Sequence, residues 1–134
     1  MVHNIYKSSS VAIALALASV TTPALAGEFA PISMAAYQAA AAKGQPIIFH
    51  VRTKDGPVCN AQHKVLVRLM KERAFADYLV LEADFTANAN AVKMMRVDLP
   101  ATLIFNRGAT ELGRATGITD DAAIRALVTK PAVH

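Results

Sequence analysis

Pro46 to Met70, PIIFHVRTKDGPVCNAQHKVLVRLM, decides how the rest of the chain reads. Ile47, Ile48, Phe49 and Val51 form an almost unbroken β-forming run, expected of a strand covered on both faces, and His50 interrupts it. Thr53 to Val58 is a polar turn containing Asp55, Gly56 and Pro57. From Cys59 onward, Gln62, Leu66, Leu69 and Met70 recur at helical spacing with Val65 beside them, while Asn60, Lys64, Arg68 and Lys71 fall largely on the other side. This pattern predicts an amphipathic helix that opens at Cys59 and runs to about Arg73. Cys59 is the single cysteine of the chain. A strand that delivers a cysteine to the first turn of a helix is the layout of a thiol site, because unpaired backbone N–H groups there stabilise a thiolate.

Toward the N-terminus the character changes. MVHNIYKSSS carries His3 and Lys7 but no acid, VAIALALASV is an apolar run, and TTPALA places Ala24 and Ala26 at the −3 and −1 positions of a cleavage site. These are the three zones of a secretory signal peptide in order, so residues 1–26 are expected to be removed and the product to be periplasmic or secreted. The apolar run is too short for a permanent membrane anchor. Cleavage leaves residues 27–134 as one domain, 108 of the 134 residues, and lowers the formal charge from +4 to +3 because Lys7 leaves with no acid. That balance, without a Lys/Arg cluster on any segment, predicts no nucleic-acid partner. A lone cysteine cannot form an internal disulfide, so stability must come from the core.

In chain order, Gly27 to Pro31 reads as a lead-in. Ser33 is the expected N-cap of an alanine-rich helix stopped at Gly44, with Met34 and Tyr37 facing inward. Phe75 and Tyr78 are expected to pack in the connection after the cysteine helix. Leu79 to Phe85 is a second strand, and Asn88 caps a short helix over 89–96 with Val92 and Met95 inward. Ala101 to Phe105 is a third strand, Asn106-Arg107-Gly108 a turn, and Thr110 to Ala115 an antiparallel fourth strand at the edge. Thr119, Asp120 and Asp121 start a last helix with Ile124, Leu127 and Val128 inward, ended by Pro131. The order α-β-α-β-α-β-β-α predicts an α/β fold, a mixed four-stranded sheet with helices on both faces.

With this order and the cysteine in this place, the chain resembles the thioredoxin superfamily, and more closely its exported bacterial members. There a strand ends in a WCxxC-type motif followed by a helix. Here DGPVCNAQ, Asp55 to Gln62, occupies that place, with Asp55 at the tryptophan, Gly56 at the first cysteine and Cys59 at the second. The similarity continues through VLEADF and TLIF to Gly117–Leu127 and covers nearly all of residues 27–134. The resemblance implies a thioredoxin-like fold with a degenerate CxxC motif, Gly56-Pro57-Val58-Cys59. It also implies a peptide-binding end of the sheet formed by Asp55, Gly56, Pro57, Val58, Pro100 and Ala101. The family often has a cis-proline directly before the T-L of the third strand. Ala101 holds that position, and Pro100 stands one residue earlier. The family also often keeps a proton-moving carboxylate at the place of Asp84.

The chemistry narrows accordingly. A dithiol reductase attacks with one thiolate and resolves with a second thiol. Gly56 has no sulfur, so autonomous dithiol turnover is not expected, and whether the protein is an enzyme at all stays open. Three readings remain. One is a binding protein that holds a peptide or protein partner near Cys59, with a mixed disulfide as one means of holding it; another is a monothiol redox enzyme served by an external resolving thiol; the third is a structural or accessory domain in which Cys59 is an inert buried core residue. A peroxidase site needs a threonine three residues before the cysteine, where Gly56 stands, and Thr53 is too far away in sequence. Cys59 and His63, at i and i+4, could share an ion with His50, but without a spaced motif no metal and no cofactor is expected. The protein is expected to be a monomer.

Overall fold

A computed structural model describes residues 11–18 and 26–133. Most of the expected signal peptide thus lies outside the described residues, and residues 11–18 form neither helix nor strand. Among the described residues, no helix is long and apolar enough to cross a membrane.

The strand predicted at the head of the diagnostic stretch is β2, Pro46–Arg52, buried along almost its whole length. It lies beside β3, Leu79–Asp84, in parallel and beside β4, Thr102–Arg107, antiparallel. The antiparallel β5, Thr110–Thr116, closes one edge, as expected. The other edge corrects the sequence reading. Glu28–Pro31 is not a lead-in but a strand, β1, parallel to β3, so the mixed sheet has five strands in the order β1-β3-β2-β4-β5. Its backbone groups are held from Glu28 N to Tyr78 O and from Ile32 N to Glu82 O. Four residues show no period of their own, so only the unpaired edge of β3 makes them a strand.

Strict alternation divides the side chains of the sheet between two cores. On one face Ile48, Val80, Leu103 and Phe105 meet Val65, Leu66, Leu69 and Met70 of α2, Pro57–Met70, and Ile124, Leu127 and Val128 of α4, Asp121–Val128. Phe75 and Tyr78 join this core, and the Tyr78 hydroxyl donates to Val128 O at 2.6 Å, satisfying a carbonyl at the end of α4. On the other face Ile47, Phe49, Val51, Leu79, Leu81, Ala83 and Ile104 are covered by α1, Met34–Ala42, and α3, Ala89–Met94. Helices therefore cover both faces, as predicted.

Several local details differ from the expectations. Ser33 caps α1 by accepting from Ala36 N, and Gly44 takes the left-handed conformation, as expected. Tyr37 faces the core as expected, together with Ala40, but Met34, in the first turn, is exposed. The cysteine helix starts earlier than its apolar period, at Pro57, whose missing N–H costs nothing in a first turn. It ends at Met70, with a 3-10 turn, Arg73–Phe75, in place of a last helical turn. Asn88 does not cap α3; its Oδ1 accepts from Asp84 N instead. Asn106 and Arg107 belong to β4, and the turn is made by Gly108, at φ 59°, with Ala109. The last helix is capped by Asp120, which accepts from Ala123 N, and ends before Pro131.

Candidate functional site

At the C-terminal end of β2 the chain turns through Thr53 and Asp55 into α2, with Gly56 as the N-cap residue. Cys59 is the third residue of the helix and points into the fold, with 2% of its surface exposed. Thr53, set aside on sequence distance, is brought back over it by the turn: its Oγ1 lies 3.9 Å from Cys59 Sγ. A β-carbon placed on Gly56 would stand 3.3 Å from Cys59 Sγ and 3.5 Å from Cys59 Cβ, and it would collide with the Thr53 hydroxyl. Asp55, Pro57 and Val58 are exposed around this turn and Gly56 is half-buried.

Pro100 and Ala101 reach the same end because Val51 pairs with Thr102 across β2 and β4. No cis peptide bond occurs among the described residues, so Leu99-Pro100 is trans. Ala101 is buried and takes φ 59°, a left-handed conformation that proline's ring cannot adopt. Its carbonyl is already occupied, accepting from Gln62 Nε2 at 2.9 Å and from Gly117 N at 2.9 Å. The structure thus gathers Asp55, Gly56, Pro57, Val58, Cys59, Pro100 and Ala101 at one end of the sheet, and Leu99 stands exposed beside them.

Beneath this end lies a polar group visible only in fragments along the chain. Gln62 is fully buried and donates from Nε2 to Ala101 O and to Ile118 O, each at 2.9 Å. Those two bonds fix the amide so that its Oε1 meets His50 Nε2 at 3.1 Å. Burial pushes the His50 imidazole down to about 4, against the hydrogen bond to Gln62 that favours the charged form. His50 pairs in register with Glu82 across β2 and β3. Glu82 is held by Arg52 at 2.7 Å, and Arg52 also donates to Asn60 Oδ1 at 2.9 Å. His63, half-buried under the ring of Phe29, places its Nδ1 3.5 Å from Glu82 Oε2. The two histidines therefore sit with Glu82, and Cys59 is not among this group. The readable signal was a polar residue at an inward position: His50 within an apolar strand and Gln62 on the inner face of a helix.

Asp84 is used otherwise. Its Oδ1 accepts from Thr86 N at 2.9 Å and Ala87 N at 2.7 Å, which holds its carboxyl below the usual range and ties it into the turn after β3. A groove of about 900 Å³ lies on the opposite face of the sheet, lined by Tyr37, Phe49, Met94, Met95 and Ile104, and no residue from Thr53 to Gln62 borders it. The thiol chemistry and this cavity are therefore separate features.

No family model and no curated protein matches the sequence. Among solved structures, the chain is similar to Trxlp from Edwardsiella tarda EIB202, at 32% identity over 77% of this chain and 98% of that chain, with a TM-score of 0.72. It is also similar to thioredoxin O2 from Arabidopsis thaliana in its oxidised state, at 17% identity over 73% of this chain and 89% of that chain, TM-score 0.62. A mutant thioredoxin from Halobacterium salinarum NRC-1 matches at 14% identity over 85% of this chain and 99% of that chain, TM-score 0.67. The last two show the fold alone. With the identity and coverage of the first, the chain belongs to the thioredoxin superfamily, as a relative of thiol-disulfide exchange proteins that carries a single cysteine.

Proposed function

We propose that this is an exported thioredoxin-like protein without a dithiol pair, working in the periplasm or outside the cell by binding an extended peptide or protein partner at the Cys59 end of the sheet. In this reading Gly56-Pro57-Val58-Cys59 is a degenerate CxxC motif, Gly56 stands at the attacking position and Cys59 is the surviving resolving thiol. One observation carries it: Val58 and Leu99 are exposed apolar side chains, at 41% and 60%, flanking a thiol that is itself 2% exposed. Such an arrangement offers apolar contact area while withholding the sulfur from solvent. Screening a library of extended apolar peptides by backbone NMR tests it. Shifts confined to residues 54–59 and 99–101, lost in Val58→Asp and in Leu99→Asp, are expected; peptides that shift neither segment would refute the reading.

A second reading has its own observation, the Thr53 hydroxyl 3.9 Å from Cys59 Sγ. Here Cys59 thiolate attacks a low-molecular-weight disulfide, a mixed disulfide forms as one thiolate leaves, and an external thiol then resolves it. Labelling with a thiol-reactive probe separates the two. Rapid labelling of the native protein, absent in Cys59→Ser, supports the monothiol enzyme. Labelling only after denaturation leaves the binding protein.

A further inference from the structure

We propose that His50, His63 and Glu82 form a binding site for a transition-metal ion of the zinc type. One donor atom from each, contributed by β2, α2 and β3, lies within 4.8 Å of the others. A tetrahedral ion bonded at about 2.0–2.2 Å to each donor holds them about 3.3–3.6 Å apart, so the site closes with side-chain shifts that bring the donors together by up to about an ångström. Two histidines and one carboxylate leaving a further position open is a set that zinc commonly takes.

The decisive observation is the state of His50. The two carbonyls that Gln62 Nε2 serves fix the amide, its Oε1 can only accept, and His50 Nε2 must therefore be the protonated ring nitrogen. In the neutral ring this leaves a bare lone pair on Nδ1, and that atom is buried with no hydrogen-bond partner. His63 Nδ1 likewise makes no hydrogen bond, standing 3.5 Å from Glu82 Oε2. A partner that fixes the tautomer of a histidine from its far side is how proteins commonly orient metal ligands.

Arg52 determines which ion fits. Its guanidinium holds the same Glu82 oxygen at 2.7 Å, cancelling the one anionic charge of the site. Hard cations such as magnesium and calcium, which depend on several anionic oxygens, are thereby disfavoured. Ions that bind neutral imidazole well are favoured. Cys59 takes no part, so the site is independent of the reading of the thiol given above.

The experiment titrates the full chain with Zn(II) by calorimetry and with Co(II) by visible absorption, after chelator treatment. One ion per chain is expected, with a shift of the His50 Nδ1 resonance in imidazole ¹⁵N spectra. His63→Ala, chosen because this side chain is partly exposed, and Glu82→Gln should each weaken binding by more than about 100-fold, since loss of a supporting residue alone costs about 10–100-fold. Arg52→Gln should tighten it several-fold, and Cys59→Ser should leave it unchanged. Circular dichroism confirms that each variant is folded. The proposal is overturned if the wild type binds neither ion, a water then serving the buried nitrogens. It is equally overturned by binding that survives His63→Ala or is abolished by Cys59→Ser.

Discussion

The Cβ position of Gly56 lies 3.5 Å from the Cβ of Cys59, at the short end of the spacing found in disulfides, about 3.5–4.5 Å. A side chain at 56 would thus start within disulfide reach of Cys59, the single cysteine of the chain. The obstacle is Thr53, whose hydroxyl occupies the place a side chain at 56 would need. A hydroxyl on a rotatable bond can move aside, so the obstacle is soft.

Gly56→Cys is therefore expected to form an intramolecular disulfide with Cys59 under mild oxidation. The double variant Gly56→Cys/Thr53→Ala should form it more completely and hold it at a lower reduction potential, because the oxidised state no longer displaces Thr53. Thiol counting and mass spectrometry under non-reducing conditions measure both. Two free thiols persisting in both folded variants would count against the placement of Gly56 at the attacking position.

Ala101 holds φ 59°, where an L-residue with a Cβ is disfavoured by about 1–2 kcal/mol. Ala101→Gly should accordingly raise stability by about 0.5–1 kcal/mol, less whatever burial of the methyl contributes. Ala101→Pro should lower it by more than about 1 kcal/mol, since the ring fixes φ near −65°. Urea denaturation of the three proteins reads the order, and equal midpoints would show that the left-handed conformation carries no strain.

Gln62 ties α2 by its side chain to β2 and to the segments just before β4 and just after β5. Gln62→Leu keeps the apolar volume but leaves Ile118 O and His50 Nε2 buried without their partner, and removes one of two donors from Ala101 O. We expect a loss of about 2–4 kcal/mol. Hydrogen exchange should accelerate first at Gly117, whose amide is the other donor to Ala101 O. A loss below about 1 kcal/mol would mean that water replaces the amide.

The pH dependence of stability follows from His50. Its folded value of about 4 lies below the unfolded 6.5, so the unfolded chain binds the proton first. The stabilisation from keeping the ring neutral is fully present above about pH 6.5 and is lost as pH falls from there to about 4, by on the order of 3 kcal/mol. Asp84, Glu72 and Glu111, all held below the usual carboxylate range, add losses only at lower pH. Denaturation between pH 7 and 4.5 in chelator should therefore show a slope that His50→Gln abolishes, and a flat wild-type profile in that window would contradict the burial effect.

How far the sequence could be read depended on whether a feature was local. Pro46 to Met70 announced a strand, turn and helix because apolar periodicity and a glycine-proline turn act within a few residues. The inward faces of α2 and α4 followed from the same spacing. Glu28–Pro31 was not legible as a strand, because an edge strand is made by the neighbour it pairs with. Thr53 was discarded on spacing although the turn folds it back onto Cys59. Asn106 and Arg107 looked like a turn, but Pro46 and Ile47 pair with them and extend β4 through both.

By itself the sequence determined the α/β order, the superfamily resemblance and the presence of a single cysteine, since each rests on residue identity and short-range pattern. The tertiary structure alone decided that Cys59 is buried beside Thr53, that Ala101 is left-handed with an occupied carbonyl, and that His50, His63 and Glu82 converge. Those facts depend on strand register and on helix docking, which bring together residues distant in the chain through packing energies that no local period encodes.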